Sequence, residues 1–404
     1  MKRAYKYRFY PTEQQRQELL RTFGCVRKVY NLALEVRTRA WFTEQRRVNY
    51  ADTSAMLTEW KRSDELAFLG EVSSVPLQQA LRHLQSAFSN FFAQRAKYPR
   101  FKSRKKSRQS AEYTKSAFMW NDGQLRLAKM AEPLAIVWSR PLPEGADPST
   151  VTVSRDAVGR WFVSILVETS TEHWPATNTA VGVDAGLDSL ATLSTGEKVT
   201  NPKHERRDRK RLAKAQRELS RKEKGSNNRA KARWKVARVH ARITDRRRDH
   251  LHQVTTRLVR ENQTVVLEDL QVRNMLRNGH LARAISDAAW GEFRMMLEYK
   301  AAWYGREVIV LDRFFPSSKT CSACGSLASA MLLHIRTWTC SGCGSTHDRD
   351  INAACNIKAA GLAASACGAG VRPQRDPSRT GQSAAKQEPS GASLKAIPTL
   401  QGGE

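Results

Sequence analysis

Two Cys-x-x-Cys knuckles, Cys321-Ser322-Ala323-Cys324 and Cys340-Ser341-Gly342-Cys343, stand 15 residues apart, and a glycine follows each. No other feature restricts the fold as much. Two thiols three positions apart can face one cation only if the backbone turns tightly between them, and the following glycine permits that turn. Two such turns on a hairpin complete a tetrahedral four-sulfur shell, the pattern of a structural zinc ribbon. Protein fills the shell, so the zinc is expected to be structural and to leave no position for water. His334 and His347 are nearby alternative ligands, but the knuckle spacing is complete without them. Cys25, Cys355 and Cys367 are scattered. This clustering suits metal ligation in a reducing cytosol better than a disulfide framework, so a cytoplasmic location is expected. Met1-Lys2-Arg3-Ala4 leads into no apolar run, so a secretory signal is not expected. Nor does any stretch approach the roughly 18 apolar residues that span a bilayer.

Charge supplies the second constraint. Lys and Arg number 68 against 39 Asp and Glu, a net charge of +29 over 404 residues. An excess of that size calls for a polyanion, and nucleic acid is the leading candidate because neutralised phosphates release condensed counterions. Residues 94–108 hold eight basic residues and no acid: Arg95, Lys97, Arg100, Lys102, Arg104, Lys105, Lys106 and Arg108. Tyr98, Pro99 and Phe101 are interleaved, which suggests phosphate contacts with some stacking. Residues 203–248 hold 20 basic residues against 5 acids, among them Arg207, Lys210, Arg211, Lys214, Arg221, Lys222, Arg233 and Arg238. The two tracts together carry +23 of the +29. The longer one breaks at Lys224-Gly225-Ser226-Asn227-Asn228, so two helices of about 20 residues are expected to fold back as a hairpin. Leu212, Ala215, Leu219, Trp234, Ala237 and Ala241 form only a narrow seam. A solvated arm would look similar, but the density of cations favours a nucleic-acid arm.

The first half alternates Tyr5, Tyr7 and Phe9 with basic residues as a strand, then shows helical periodicity from Thr12 through Phe23, Val26, Tyr30 and Leu34, near 54–60, and over 76–96. Short strands at Leu125–Leu127, Val151–Val153 and Trp161–Val167 suggest a small β-barrel. In the second half, strands at 181–187, 190–193, 264–268 and 307–311 alternate with helices at 286–303 and 350–360, an α/β arrangement. Residues 371–404 are rich in Pro, Ser, Gly, Gln and Ala and contain no aromatic residue, so a disordered tail is expected.

Three acids sit where a buried strand or a helix changes direction. Asp184 follows Val181-Gly182-Val183, Glu268 ends Val265-Val266-Leu267, and Asp350 precedes the helical run from Ile351. Taken singly, each has a plain account: a strand-end acid reaching solvent, or an N-cap. Taken together, convergent acids from distant segments are what a nuclease holding two Mg²⁺ ions about 4 Å apart requires. Spacing alone leaves Asp188, Asp269 and Asp348 as possible substitutes.

The succession Gly182-Val183-Asp184-Ala185-Gly186, Leu267-Glu268-Asp269-Leu270, Trp303-Tyr304-Gly305, the paired knuckles and His347-Asp348-Arg349-Asp350-Ile351-Asn352-Ala353-Ala354 closely resembles the TnpB (OrfB) proteins of bacterial insertion sequences. Tyr98-Pro99-Arg100-Phe101 and Ser286-Asp287-Ala288-Ala289-Trp290-Gly291 add to a likeness that runs from residue 1 to about 370. The resemblance implies an α/β protein with a small β-barrel and a helical lobe, its RuvC-like (RNase H-type) nuclease domain interrupted by the zinc ribbon. The expected divisions are a split wedge-like barrel (1–10 and 99–175), a helical recognition lobe (11–98), the nuclease (176–320 and 346–370), the ribbon (321–345) and the tail (371–404). It also implies RNA-guided cleavage of double-stranded DNA beside a short motif, with a guide RNA from the transposon end and a monomer bound to that RNA. The catalytic, magnesium-holding acids become Asp184, Glu268 and Asp350, and the zinc ligands Cys321, Cys324, Cys340 and Cys343. Two alternatives stay open: a transposase joining strands at the same metal site, and a non-catalytic nucleic-acid-binding zinc protein.

Overall fold

A computed structural model describes residues 1–366 apart from 105, 106, 122, 171, 172, 329, 330 and 333. The tail expected at 371–404, together with Lys105 and Lys106, lies outside the described residues. In β1 (Lys2–Phe9) the alternation works as anticipated, because Tyr5, Tyr7 and Phe9 are buried while their basic neighbours face outward. Helix α1 (Glu13–Glu44) starts at Thr12, whose side chain and that of Gln15 form a reciprocal capping box. Its apolar stripe packs with α2 (Tyr50–Arg62) and α3 (Ser74–Phe92).

After α3 come β2 (Gln109–Thr114), the hairpin β3 (Phe118–Asn121) and β4 (Gln124–Leu127), β5 (Ile136–Val137), β6 (Pro148–Arg155) and β7 (Trp161–Glu168). Five of these strands form a sheet in the order β2-β6-β7-β1-β5, and β3–β4 pairs separately. The expected barrel is therefore corrected: the sheet is open, with β2 at one edge and β5 at the other. Strand β5 pairs with β1 through only Ile136 and Val137, and Pro133 and Pro141 flank it. On either side the chain turns to other partners, the Leu134 amide donating to Leu125 O of β4 and the Ser139 amide to Val137 O, so the edge stays too short to close.

The second half adds β8 (Ala180–Asp184), β9 (Ser189–Leu193), β10 (Lys198–Thr200), α4 (His204–Ser220), α5 (Asn227–Glu261) and β11 (Thr264–Glu268). There follow α6 (Val272–Met275), α7 (Ala282–Ala288), α8 (Trp290–Tyr304), β12 (Glu307–Leu311), β13 (Thr337–Thr339), β14 (Thr346–Asp348) and α9 (Arg349–Ala366). The sheet order is β10-β9-β8-β11-β12, with β8, β11 and β12 parallel and β9 antiparallel to both of its neighbours, β8 and β10. Leu251, Val254 and Leu258 of α5 and Phe293 and Leu297 of α8 cover Val181, Val183, Val265 and Leu267 on one face. Ile357 of α9 covers Val266 and Ile309 on the other. Cover on both faces explains the unbroken apolar run in β11.

Two helical expectations change. The basic hairpin does turn near Gly225, but α5 runs 35 residues, because its apolar stripe continues into Leu251, Val254 and Leu258 and no Gly or Pro interrupts it. The helix foreseen over 286–303 is split into α7 and α8 at Ala289, whose φ of 54° puts it in the left-handed region.

Candidate functional site

Register brings two of the acids together. Val183 of β8 pairs with Leu267 of the parallel strand β11, so Asp184 and Glu268, the next residues, leave the sheet side by side at the same strand ends. The third acid arrives on α9, and Gly182 explains how. A Cβ there would fall 2.1 Å from the Ala354 carbonyl oxygen and 2.6 Å from the Lys358 amide, so only glycine lets α9 cross β8 backbone to backbone. That crossing sets Asp350, in the first turn of α9, above the ends of β8 and β11. Burial first, then the charges of Glu268 and Asp350, push the Asp184 carboxyl up to about 7, against a smaller opposing effect of Arg349.

The nearby carboxylates are occupied otherwise. Asp348 caps α9, accepting from the amides of Asp350 (3.0 Å) and Ile351 (3.1 Å), and takes Lys198 Nζ at 2.7 Å. Partial burial works against its charge, yet Lys198 and the two amides hold its carboxyl below the usual range. The N-cap role available to Asp350 in the sequence thus belongs to Asp348. Asp269 pairs with Arg294 (2.7 Å) and Arg313 (3.0 Å), and Asp188 with Lys203 (3.4 Å) and Arg336 (3.2 Å). Asp184 and Glu268, in contrast, make no ion pair with a Lys or Arg among the described residues. Asp350 has one long contact, 3.5 Å to Arg336 Nη1. A partly buried acid group that lacks countercharge is costly, and a divalent cation would relieve it. The donor set therefore fits magnesium-type ions. The carboxylate oxygens are spread more widely than the sulfurs described next.

Four sulfurs form a tighter group. Sγ atoms of Cys321, Cys324, Cys340 and Cys343 lie within 4.8 Å of one another, the one such group of His, Cys, Asp or Glu ligand atoms among the described residues. Cys321 to Cys343 and Cys324 to Cys340 are each 3.7 Å. Zinc–sulfur bonds of about 2.3 Å in a tetrahedron put sulfurs roughly 3.8 Å apart, so the set fits zinc. Both knuckles close alike: Gly325 donates to Cys321 O and Gly344 to Cys340 O, each at 2.9 Å, with φ of 79° and 72°. His347 stands beside the cluster, Nε2 3.1 Å from Cys321 Sγ, and His334 is not part of it.

Side chains that the sequence reading passed over join the two clusters. Ser317, ahead of the first knuckle, donates its hydroxyl to Glu268 Oε1 at 2.5 Å. Asn356 Nδ2 donates to the carbonyls of Ser317 (2.8 Å) and Thr320 (2.6 Å). Asn352 Nδ2 donates to Thr320 O (2.7 Å) and its Oδ1 accepts from the Ser322 amide (2.8 Å). These asparagines, buried and four apart on α9, are a signal that the helical spacing could have given. For Ser317 and Arg336 the sequence holds none.

Arg207, Lys210, Arg211, Lys214, Arg221, Lys222, Arg233 and Arg238 are all exposed on the α4–α5 hairpin, and none pairs with a carboxylate among the described residues. Arg238 lies over the Trp234 ring at 4.2 Å, and Trp234 Nε1 donates to Val158 O, hitching the hairpin to the β6–β7 turn. In the shorter tract Arg95, Lys97, Arg100, Arg104 and Arg108 are exposed, whereas Lys102 is tucked over Tyr30 at 3.8 Å and its ammonium pKa is lowered by burial. Lys102 is thus less available to phosphates than its neighbours. No helix among the described residues is long and apolar enough to cross a membrane.

Comparison with known proteins adds a second line. Residues 163–279 match the family model described as "Probable transposase" of the OrfB_IS605 type, 290–357 one described as "Cas12f1-like, TNB domain", and 1–46 a "Helix-turn-helix domain" of the same OrfB_IS605 group. A Streptomyces pristinaespiralis protein named "Putative RNA-guided DNA endonuclease" is 72% identical over 99% of each chain. An Escherichia coli relative, "Putative RNA-guided DNA endonuclease InsQ", is 34% identical over 92% of this chain and 95% of its own. Among solved structures, a protein in the Cas12f1-sgRNA-target DNA complex shares the fold, with a TM-score of 0.56 at 15% identity over 85% of this chain and 83% of its own.

Proposed function

The chain belongs to the TnpB (OrfB) family, and from that premise we propose that it is an RNA-guided DNA endonuclease that hydrolyses phosphodiester bonds at Asp184, Glu268 and Asp350. One observation carries the reading: two strand-end acids set side by side by register, and a third delivered by the Gly182 crossing, form a cluster that its own cations leave largely unneutralised. The names of the relatives support guidance by RNA and action on DNA. Magnesium ions held by the three carboxylates would supply Lewis-acid stabilisation of the charge that builds on the scissile phosphate.

The protein's own part is positioning. Burial of Asp184 limits competing water, Ser317 orients the Glu268 carboxylate, and Asp348 fixes the helix start that aims Asp350. On this reading the strand-end sheet with α5, α8 and α9 is the RuvC-like nuclease, divided as the resemblance implies. The four cysteines hold one structural zinc. The α4–α5 hairpin and the 94–108 tract grip the phosphates of guide and heteroduplex, while base pairing reads the sequence. The guide is RNA from the transposon end, the cut lies beside a short DNA motif, and the working unit is one chain bound to RNA in the cytoplasm.

The test is to purify the protein, extract its nucleic acid and sequence what RNase removes. A discrete RNA spanning the element's end is expected, and protein carrying only random RNA or none would sink the guide reading. Programmed DNA incubated with that complex and Mg²⁺ should be cut to linear ends and spared when chelator is present. Joined strands without linear products would point to strand transfer instead.

A further inference from the structure

We infer that a cavity between α1 and the first sheet, far in sequence from the acid cluster, is a socket for one nucleotide of a bound single strand. The inference rests on the nucleic-acid reading above and names a place for part of that ligand. The cavity has a volume of about 230 Å³. Arg27, Arg104 and Arg155 line it and no carboxylate does, while Leu20 and Phe23 give it an apolar wall. None of the three arginines pairs with an acid among the described residues. Arg155 Nε is buried with no hydrogen-bond partner, and its guanidinium is held 5.5 Å from the Trp161 ring, against which Phe23 also stacks. Three cations beside an apolar wall match a nucleotide, which joins an anionic phosphate to a planar base. The volume lies below the roughly 300–1,000 Å³ of sites that enclose a whole small ligand, so the socket takes no more than one nucleotide and leaves part of it outside.

Gly24 supplies the independent observation. It lies mid-helix, on the α1 face shared by Leu20 and Arg27, and also lines the cavity. A Cβ built there meets nothing within 4 Å. Glycine is a poor residue for a helix interior, and here no packing demands it. The open space beside it belongs to the cavity.

The experiment measures binding of the full-length protein to labelled oligo(U) RNA and oligo(dT) DNA by fluorescence anisotropy across a salt series. Gly24→Leu keeps every charge and fills the space, so it should weaken binding about tenfold with the salt slope unchanged. Arg155→Gln should weaken binding and lower the slope by about 0.7. Gly24→Ala, which favours the helix, should keep or raise the unfolding midpoint and so report on folding separately. A loss confined to oligo(U) assigns the socket to the RNA strand; one confined to oligo(dT) assigns it to DNA. Gly24→Leu and Arg155→Gln proteins that bind both strands as the unsubstituted protein does would overturn the socket alone. Unsubstituted protein that binds neither strand would overturn the wider reading with it.

Discussion

The molecule gathers ligands in two places, and they are built in opposite ways. Four sulfurs converge within 4.8 Å on two matching knuckles that supply every position of a tetrahedron. Three carboxylates converge from two strand ends and a helix start, more loosely, with one acid pushed up to about 7 and little countercharge. A closed shell holds shape, whereas an open and electrostatically unsatisfied one leaves room and reason for ions and substrate. Asn352, Asn356 and Ser317 span the gap, so the closed site braces the open one.

The largest effect should come from removing the reason for the open site. Asp184→Asn should lower DNA cleavage by about a thousandfold or more while RNA stays bound, measured by gel-resolved cleavage and by RNA retained on purification. Loss of RNA together with cleavage would break the division of labour between acids and basic hairpin. Next, Cys340→Ser should strip the metal from the closed site, read by elemental analysis of zinc, and lower the unfolding midpoint by several degrees. If zinc leaves and cleavage survives intact, the bracing is wrong.

A pH series sharpens the contrast further. Asp184 has its folded-state pKa raised, so between about pH 4 and pH 7 the folded protein holds a proton that the unfolded chain has lost. Stability of metal-free protein should therefore fall as pH rises across that window, and Asp184→Asn should flatten the slope in denaturant titrations. Ser317→Ala should cost about tenfold in cleavage with zinc content unchanged. The smallest effect is expected at Arg238→Gln: a few-fold weaker RNA binding and a salt slope lower by about 0.7.

How much of this could be read beforehand depends on whether local chemistry or distant pairing decides. The knuckles and the strand-end acids were legible because spacing and apolar runs are local. Gly182 was visible as a glycine, but its cause, the backbone of α9 lying 2.1 Å from where a Cβ would stand, is some 170 residues away in sequence. The barrel failed because closure depends on how far an edge strand such as Ile136–Val137 can pair. Ala289 takes a left-handed turn that no Gly or Asn announces. That Asp348 and not Asp350 caps α9 needed the hydrogen bonds themselves, since either could have done so on sequence alone.

The 35 residues of α5 make one rod about 52 Å long at 1.5 Å per residue. One end lies at the tip of the basic hairpin, and two residues separate the other from β11, whose last residue is Glu268. No Gly or Pro lies between them to act as a hinge, so the rod carries a load along its length and shares it with the β6–β7 turn, which Trp234 and Asp245 hold. If the hairpin grips nucleic acid as proposed, the same rigid helix would link that grip to the strand that carries one of the three acids.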